Sequence, residues 1–297
     1  MVAENRITGD VLVVGGGIAG CFAAVKASQQ GAKVVLVDKG YVGKSGQTPY
    51  TTSIMDFKPD EGHTLDDGMR YLNKVGEYVN NPYWTERCIK ESNAICEEML
   101  SWGMKFRPQD DDDRFNFLWV PKSLTKPRGY EPEDLAHMLR DKVTKSEVKI
   151  FDSIMIAELL KQDRRVIGAV GIARDSGALY TFIAKTTILC VGPCGFKPAG
   201  YPPVAQLTCD GEAMAYRAGA EIGGKEFGDV RYTYIDNPSE AGRKKLPHEP
   251  GYKTLALRQQ YPPRQLYNAE GEIINIRAFG TSEYPQSYLE QIGRAHV

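Results

Sequence analysis

A short apolar run, Asp10-Val11-Leu12-Val13-Val14, passes directly into Gly15-Gly16-Gly17-Ile18-Ala19-Gly20, and this junction restricts the possible fold more than any other feature of the chain. β-Branched residues favour a strand, and the glycines suit a sharp turn into a helix. Gly15 permits that turn, Gly17 lets a ligand approach the backbone, and Gly20 lets the helix pack closely on the strand. The stretch from Cys21 to Gln30 is expected to be helical, and a second apolar run, Lys33-Val34-Val35-Leu36-Val37, ends on Asp38. Strand, turn, helix, strand and acid in this order form a dinucleotide-binding unit. The pyrophosphate is expected on the unpaired N–H groups of the helix N-terminus, with Ile18 and Ala19 among the cofactor-binding residues, and Asp38 is expected to accept hydrogen bonds from ribose hydroxyls. An acid here, with no Arg directly after it, disfavours a 2′-phosphate but does not separate NAD from FAD.

The segments beyond the second strand favour FAD. After Asp38-Lys39 comes the small polar loop Gly40-Tyr41-Val42-Gly43-Lys44-Ser45-Gly46-Gln47-Thr48, placed to wrap a cofactor at the ligand-facing edge of the sheet. The chain then enters a helical insertion, expected from Thr64 to Gly103, instead of further βα units. From Val148 to Cys190 the pattern alternates as strands, with turns at Asp163-Arg164-Arg165 and Asp175-Ser176-Gly177. A β-meander inserted in such a sheet is a habit of flavoproteins that bind two dinucleotides.

On these blocks the sequence resembles the fumarate reductase/succinate dehydrogenase flavoprotein family, which includes L-aspartate oxidase and the adenylylsulfate reductase flavoprotein subunit. The blocks are the glycine turn with Asp38-Lys39; Ser45-Gly46-Gln47-Thr48; Ser101-Trp102-Gly103-Met104-Lys105-Phe106; Ala184 to Gly192; and Thr208-Cys209-Asp210-Gly211-Glu212 through Glu221. The resemblance runs from about Asp10 to Gly228. It implies that Asp210 and Gly211 contact the flavin cofactor; read locally, Asp210 is also an N-cap for a helix over Glu212 to Ala218. It further implies a capping domain, small anionic substrates, and exchange of electrons with an iron–sulfur or other electron-transfer subunit.

Departures from the family pattern modify these expectations. Bacterial fumarate reductases tether FAD through a His in the loop after the second strand, whereas Ser45-Gly46-Gln47-Thr48 supplies none, so FAD is expected to be held non-covalently. Glu226-Phe227 persists, but Gly228-Asp229-Val230-Arg231 stands where the family often has His-Pro-Thr. No counterpart of the family's Arg-Gly-Glu-Gly-Gly stretch occurs before Gln291. Arg128, in Lys126-Pro127-Arg128-Gly129-Tyr130 ahead of a helix from Leu135 to Val143, is a candidate for facing an anionic substrate, with Arg231 and His248 as further catalytic candidates.

The remaining composition narrows the classes of function. Lys+Arg of 37 against Asp+Glu of 38 gives a net charge of -1, without the basic excess of a nucleic-acid binder. The six cysteines show no C-x-x-C pair and read as buried thiols in a reducing compartment. His63 and His137 stand apart, and Asp110-Asp111-Asp112-Asp113 reads as a solvated acidic loop, so no metal site is expected. The start of the chain lacks the order of a signal peptide, and no run is long enough to span a bilayer; a cytoplasmic location is expected, with membrane association only through a partner.

The expected architecture is α/β, with a Rossmann-like FAD-binding domain carrying a helical insertion and a β-meander over residues 1–235, then the start of an α+β capping domain over 236–291. Within the latter, residues 266–272 read as a hairpin. Residues 292–297 read as the translation of a sequencing-library adapter, so the natural chain is expected to continue, the returning strands of the FAD domain to be absent, and the chain as given to be inactive. The leading functional reading is hydride transfer between FAD and a small anionic substrate. The alternatives are an adenylylsulfate reductase-like flavoprotein and an electron-transfer subunit that carries FAD without a substrate site of its own.

Overall fold

Strand β1 (Asn5–Val14) begins well before the apolar run that announces it. Its polar first half pairs with only one neighbour, Asn5 opposite Tyr180 through Gly9 opposite Ala184, whereas Val11 to Val14 are bonded on both edges. That distant pairing recruits residues whose own propensity is weak. The computed structural model in which this is seen describes residues 5–51, 53–107, 128–192, 208–224, 266–267 and 273–274. The chain divides into two units, Met1–Arg243 and Lys244–Val297.

From β1 the chain turns through the glycines into helix α1 (Ile18–Gln29), which starts three residues before the expected Cys21, and then enters the fully buried β2 (Val34–Val37). The loop after β2 ends in a single 3-10 turn, Thr48–Tyr50, ahead of the short β3 (Ser53–Ile54). The helical insertion is two helices, α2 (Leu65–Val75) and α3 (Pro82–Ser101). Gly76 closes the first, and Asn81 caps the second by accepting from the Tyr83 N–H, with Pro82 at the first helical position. Trp102, directly after α3, stacks on Phe22 of α1 at 4.2 Å between ring centres, which pins the insertion to the nucleotide-binding unit.

Strand β4 (Arg128–Gly129) pairs with β3, and helix α4 (Pro132–Thr144) leads into β5 (Val148–Phe151), which lies parallel to β2. The meander comes next as β6 (Ile154–Gln162), β7 (Arg165–Ala173) and β8 (Leu179–Leu189), antiparallel to one another. Strand β8 also lies parallel to β1, so the meander joins the same sheet, in the order β5-β2-β1-β8-β7-β6. Helix α5 (Asp210–Ala218) completes the described part of this unit. In the second unit, β9 (Leu266–Tyr267) pairs antiparallel with β10 (Ile273–Ile274), which is the expected hairpin.

Two apolar layers hold the sheet. On one face, Val13, Val34 and Leu36 pack with Cys21, Ala24 and Val25 of α1 and Leu135, Leu139 and Val143 of α4. On the other, Leu12, Val14, Val35 and Val37 pack with Ile154, Ile156 and Leu159, with Phe182, and with Met214 of α5. The alternation of β1 and β2 sends successive residues to opposite layers. Such double burial explains why both strands read as continuous apolar runs.

Gly20 shows how tightly α1 is set against this sheet. A Cβ placed there would lie 1.7 Å from the carbonyl oxygen of Gly15, a backbone atom that cannot rotate away. Gly20→Ala is therefore expected to destabilise the domain by about 1–3 kcal/mol, the usual range for overpacking, and a lowered urea midpoint at unchanged slope would register it.

Candidate cofactor site

The carboxyl ends of β1, β2 and β8 meet the first turns of α1 and α5 around a cavity of about 510 Å³, well within the range of sites for small ligands. Gly15, Gly17, Ile18 and Ala19 line it from the glycine turn, and Asp38 and Lys39 from the end of β2. Ser45, Gly46, Gln47 and Thr48 contribute from the following loop, Gly192 from beyond β8, and Asp210 and Gly211 from α5. Of the cofactor candidates named from sequence, Gly20 alone stands off the wall, filling the close contact between α1 and the turn.

Asp38 organises this wall. The residue is 5% exposed, and its carboxylate accepts the Gly16 N–H at 2.5 Å, the Gly40 N–H at 2.6 Å and the Ser45 hydroxyl at 2.5 Å. From sequence, Asp38 has the single task of holding a ribose; the structure adds that of fastening the glycine turn to the loop after β2. A carboxylate offers about four acceptor sites, so a position remains for a ligand hydroxyl. The loop is held from outside as well. Asp152 accepts the Val42 N–H at 2.8 Å and is itself bound by Arg140 at 2.9 and 3.0 Å.

The first-turn N–H groups of an α-helix have no partner within the helix, and at α1 these groups border the cavity. Thr48 takes one of them: its hydroxyl accepts the Ile18 N–H at 3.0 Å. Gly17 caps α1 without a side chain, and a Cβ there would press on that hydroxyl at 3.0 Å. The donor set, the glycine cradle and a buried acid fit the diphosphate and ribose of a dinucleotide. Ile154, Met155 and Ile156 of β6, with Val37 and Met214, add an apolar wall suited to a flat ring. Sequence reasoning did not pick out these five, since an apolar residue bordering a ligand looks the same in sequence as one in a core.

At α5 the local reading of Asp210 is corrected. Cys209 is the N-cap, held at φ 63°, and Asp210 is the first helical residue. Its carboxylate is bonded by the Thr208 hydroxyl and, at 3.1 Å, by the Lys39 ammonium. Partial burial on its own would raise the Asp210 carboxyl, but the hydrogen bonds from Thr208 and Lys39 outweigh it and leave the group below its ordinary value. Gly211 is buried because Val191 occupies the space its side chain would need, at 2.0 Å.

Other candidates are placed elsewhere. Arg128 bonds the fully buried Asp56 and, at 3.2 Å, Glu97, and its guanidinium lies 5.4 Å from the centre of the Phe106 ring, so in this structure it is engaged in an ion pair. His63 accepts the Lys58 N–H at 3.0 Å as a buried structural group, and His137 is exposed on α4. Arg231, His248 and Asp110 to Asp113 lie outside the described residues. Among the described residues no cluster suited to a metal ion occurs. The uniform picture of buried thiols is corrected: Cys88 is exposed and Cys209 is disulfide-bonded. Burial pushes the Cys21 and Cys96 thiols up to about 12, which leaves both protonated and unreactive.

Fold and site together define a dinucleotide-binding α/β domain of the flavoprotein kind. The family model described as "FAD binding domain" matches residues 10–232, and the chain belongs to this family. A fumarate reductase (CoM/CoB) subunit of Methanothermobacter marburgensis is 27% identical over 223 residues, covering 72% of this chain and 40% of that relative. L-aspartate oxidase of Clostridium acetobutylicum is 26% identical over 229 residues, covering 73% and 50%. Among solved structures, Mycobacterium smegmatis Sdh1 in complex with UQ1 superposes with a TM-score of 0.62 at 24% identity, over 72% of this chain and 39% of that one. The chain thus spans 40% to 50% of the length of these curated relatives.

Because Asp38 holds three internal donors, Asp38→Ala is expected to affect folding as well as binding. Each donor left buried without a partner costs about 1–3 kcal/mol, so a fall of several kcal/mol in stability should accompany a weaker grip on FAD. Thermal melts of the apoprotein measure the first effect; a melt unchanged from the parent would show that the Asp38 network does not support the turn.

Proposed function

We propose that this chain supplies the FAD-binding domain of an oxidoreductase that moves a hydride between flavin and a small anionic substrate. One observation carries the reading: residues dispersed between Gly15 and Gly211 in sequence converge on one cavity at the carboxyl edge of the sheet, with the glycine turn, ribose acid and polar loop in the places a dinucleotide requires. When bound, FAD supplies hydride and single-electron chemistry. The protein's own residues bind and orient it. The α1 N-terminus faces the pyrophosphate, Asp38 accepts a ribose hydroxyl, Ser45 to Thr48 wrap the cofactor, and Asp210 and Gly211 hold it from α5.

The substrate class rests on the relatives, two of which are named for fumarate and L-aspartate, both small dicarboxylates. The Methanothermobacter marburgensis relative is itself named as a subunit, which supports electron exchange with a partner chain. Residues 236–291 are assigned to a capping domain, and a cytoplasmic location goes with this reading. No helix among the described residues is long and apolar enough to cross a membrane. Substrate-positioning groups are assigned to the cap, because Arg128 is engaged with Asp56.

The purified protein is expected to be yellow, to take up FAD in preference to NAD, and to release its flavin into the supernatant on acid precipitation, since neither Ser45-Gly46-Gln47-Thr48 nor the surrounding loop offers a histidine for a tether. A colourless protein that binds NAD would overturn the cofactor assignment. Colour retained in the precipitate would overturn the non-covalent one.

A further inference from the structure

The charges lining the cofactor cavity are unusual for a site that takes an anionic diphosphate. Asp38, Asp210 and Glu212 border it, and among the described residues lining it Lys39 is the single cation. Asp38 is surrounded by the Gly16, Gly40 and Ser45 donors already described. Glu212 lies on the same helix as Asp210, in its first turn. Farther along α5, Arg217 is engaged with Glu158 of β6 at 2.6 Å. Arg174, after β7, donates to the backbone carbonyl of Lys39 at 2.8 Å. Among the described residues Lys39 alone brings a positive side chain to Asp210, and its ammonium also donates to the Thr208 hydroxyl at 2.6 Å.

Resting on the reading that FAD occupies this cavity, we propose that Lys39 is a positioning residue acting through Asp210: it neutralises that carboxylate and ties the start of α5 to the end of β2, so that Asp210 can accept a cofactor hydroxyl without repelling the diphosphate. Lys39 and Asp210 are each about one-third exposed, so the attraction is partly screened and the tie contributes little to stability by itself. Its importance appears when the anion arrives. An Asp210 without Lys39 is an uncompensated negative charge beside a ligand that carries two, in a partly enclosed site where such repulsion is stronger than in water.

A pH dependence results. In the parent protein Asp210 stays ionised from about pH 8 to about pH 5, because its proton affinity is held below that of an ordinary carboxylate. Without Lys39 both partial burial and the bound diphosphate favour the protonated acid. Lowering the pH then removes the offending charge, and affinity recovers.

The experiment is a titration of the full apo-chain with FAD, followed by flavin fluorescence, on the parent, K39M, K39R and K39M/D210N, with thermal melts to confirm folding. K39M is expected to bind FAD about tenfold more weakly at about pH 8, through the uncompensated Asp210 charge, and to regain about twofold of this by about pH 5 and more below it. K39R should stay near the parent, and K39M/D210N should recover most of the affinity and lose the pH dependence of the ratio to the parent. A K39M defect that is the same at every pH and is not rescued by D210N would overturn the proposal, since Lys39 would then act on the diphosphate directly. K39M binding as tightly as the parent would overturn it too. Failure of the parent itself to bind FAD is a separate result that removes the cofactor reading beneath it.

Discussion

The Asp38 carboxylate is the interaction on which the site depends. It is fixed at the end of β2, a strand buried on both faces, and from there it reaches the glycine turn that ends β1 and the loop that succeeds β2. A buried charge is tolerated only where donors surround it, and here the donors belong to the segments that must be placed for a dinucleotide. The acid therefore sets the spacing between turn and loop before any ligand enters. Pre-arrangement of this kind lowers the ordering cost of binding.

A second buried carboxylate does comparable work for the insertion. Asp56 is fully buried and is met by Arg128, by the Asn93 amide at 2.7 Å, and by Lys58 at 3.8 Å. These groups come from the segment before α2, from α3 and from β4, so the charge cluster ties the insertion to itself while the stacking of Trp102 on Phe22 ties it to α1. Replacing either partner alone would leave the other buried without compensation, which is far costlier than the pair is stabilising.

Much of the nucleotide-binding unit was legible because its chemistry is local. The glycine turn, the apolar strands and Asp38 are adjacent in sequence, each with a residue type that few other tasks demand. The same holds for Thr208 to Glu221, although only the structure shows that Gly211 is dictated by the close approach of Val191. Boundaries shifted where long-range pairing overrode propensity, as in the polar first half of β1. The partner of Arg128 was not legible for a related reason: a lone Arg before a helix looks the same whether it faces a substrate or a buried aspartate. The apolar wall from Ile154 to Ile156 was invisible, since nothing in its composition differs from the core around it.

The parallel pairing of β1 with β8 has a consequence for the order in which the protein is built. Asn5 leaves the ribosome long before its partner Tyr180, which emerges only after both helices of the insertion, α4 and two strands of the meander have been made. Until then one edge of β1 is an open row of backbone donors and acceptors. Long-range parallel pairing is intrinsically slow, and the nascent chain must keep this edge from other strands while it waits. The cofactor cavity closes later still, since Gly192 and α5 come after β8. Flavin is thus captured only after these segments have been made and cannot serve as the nucleus around which the first strands assemble.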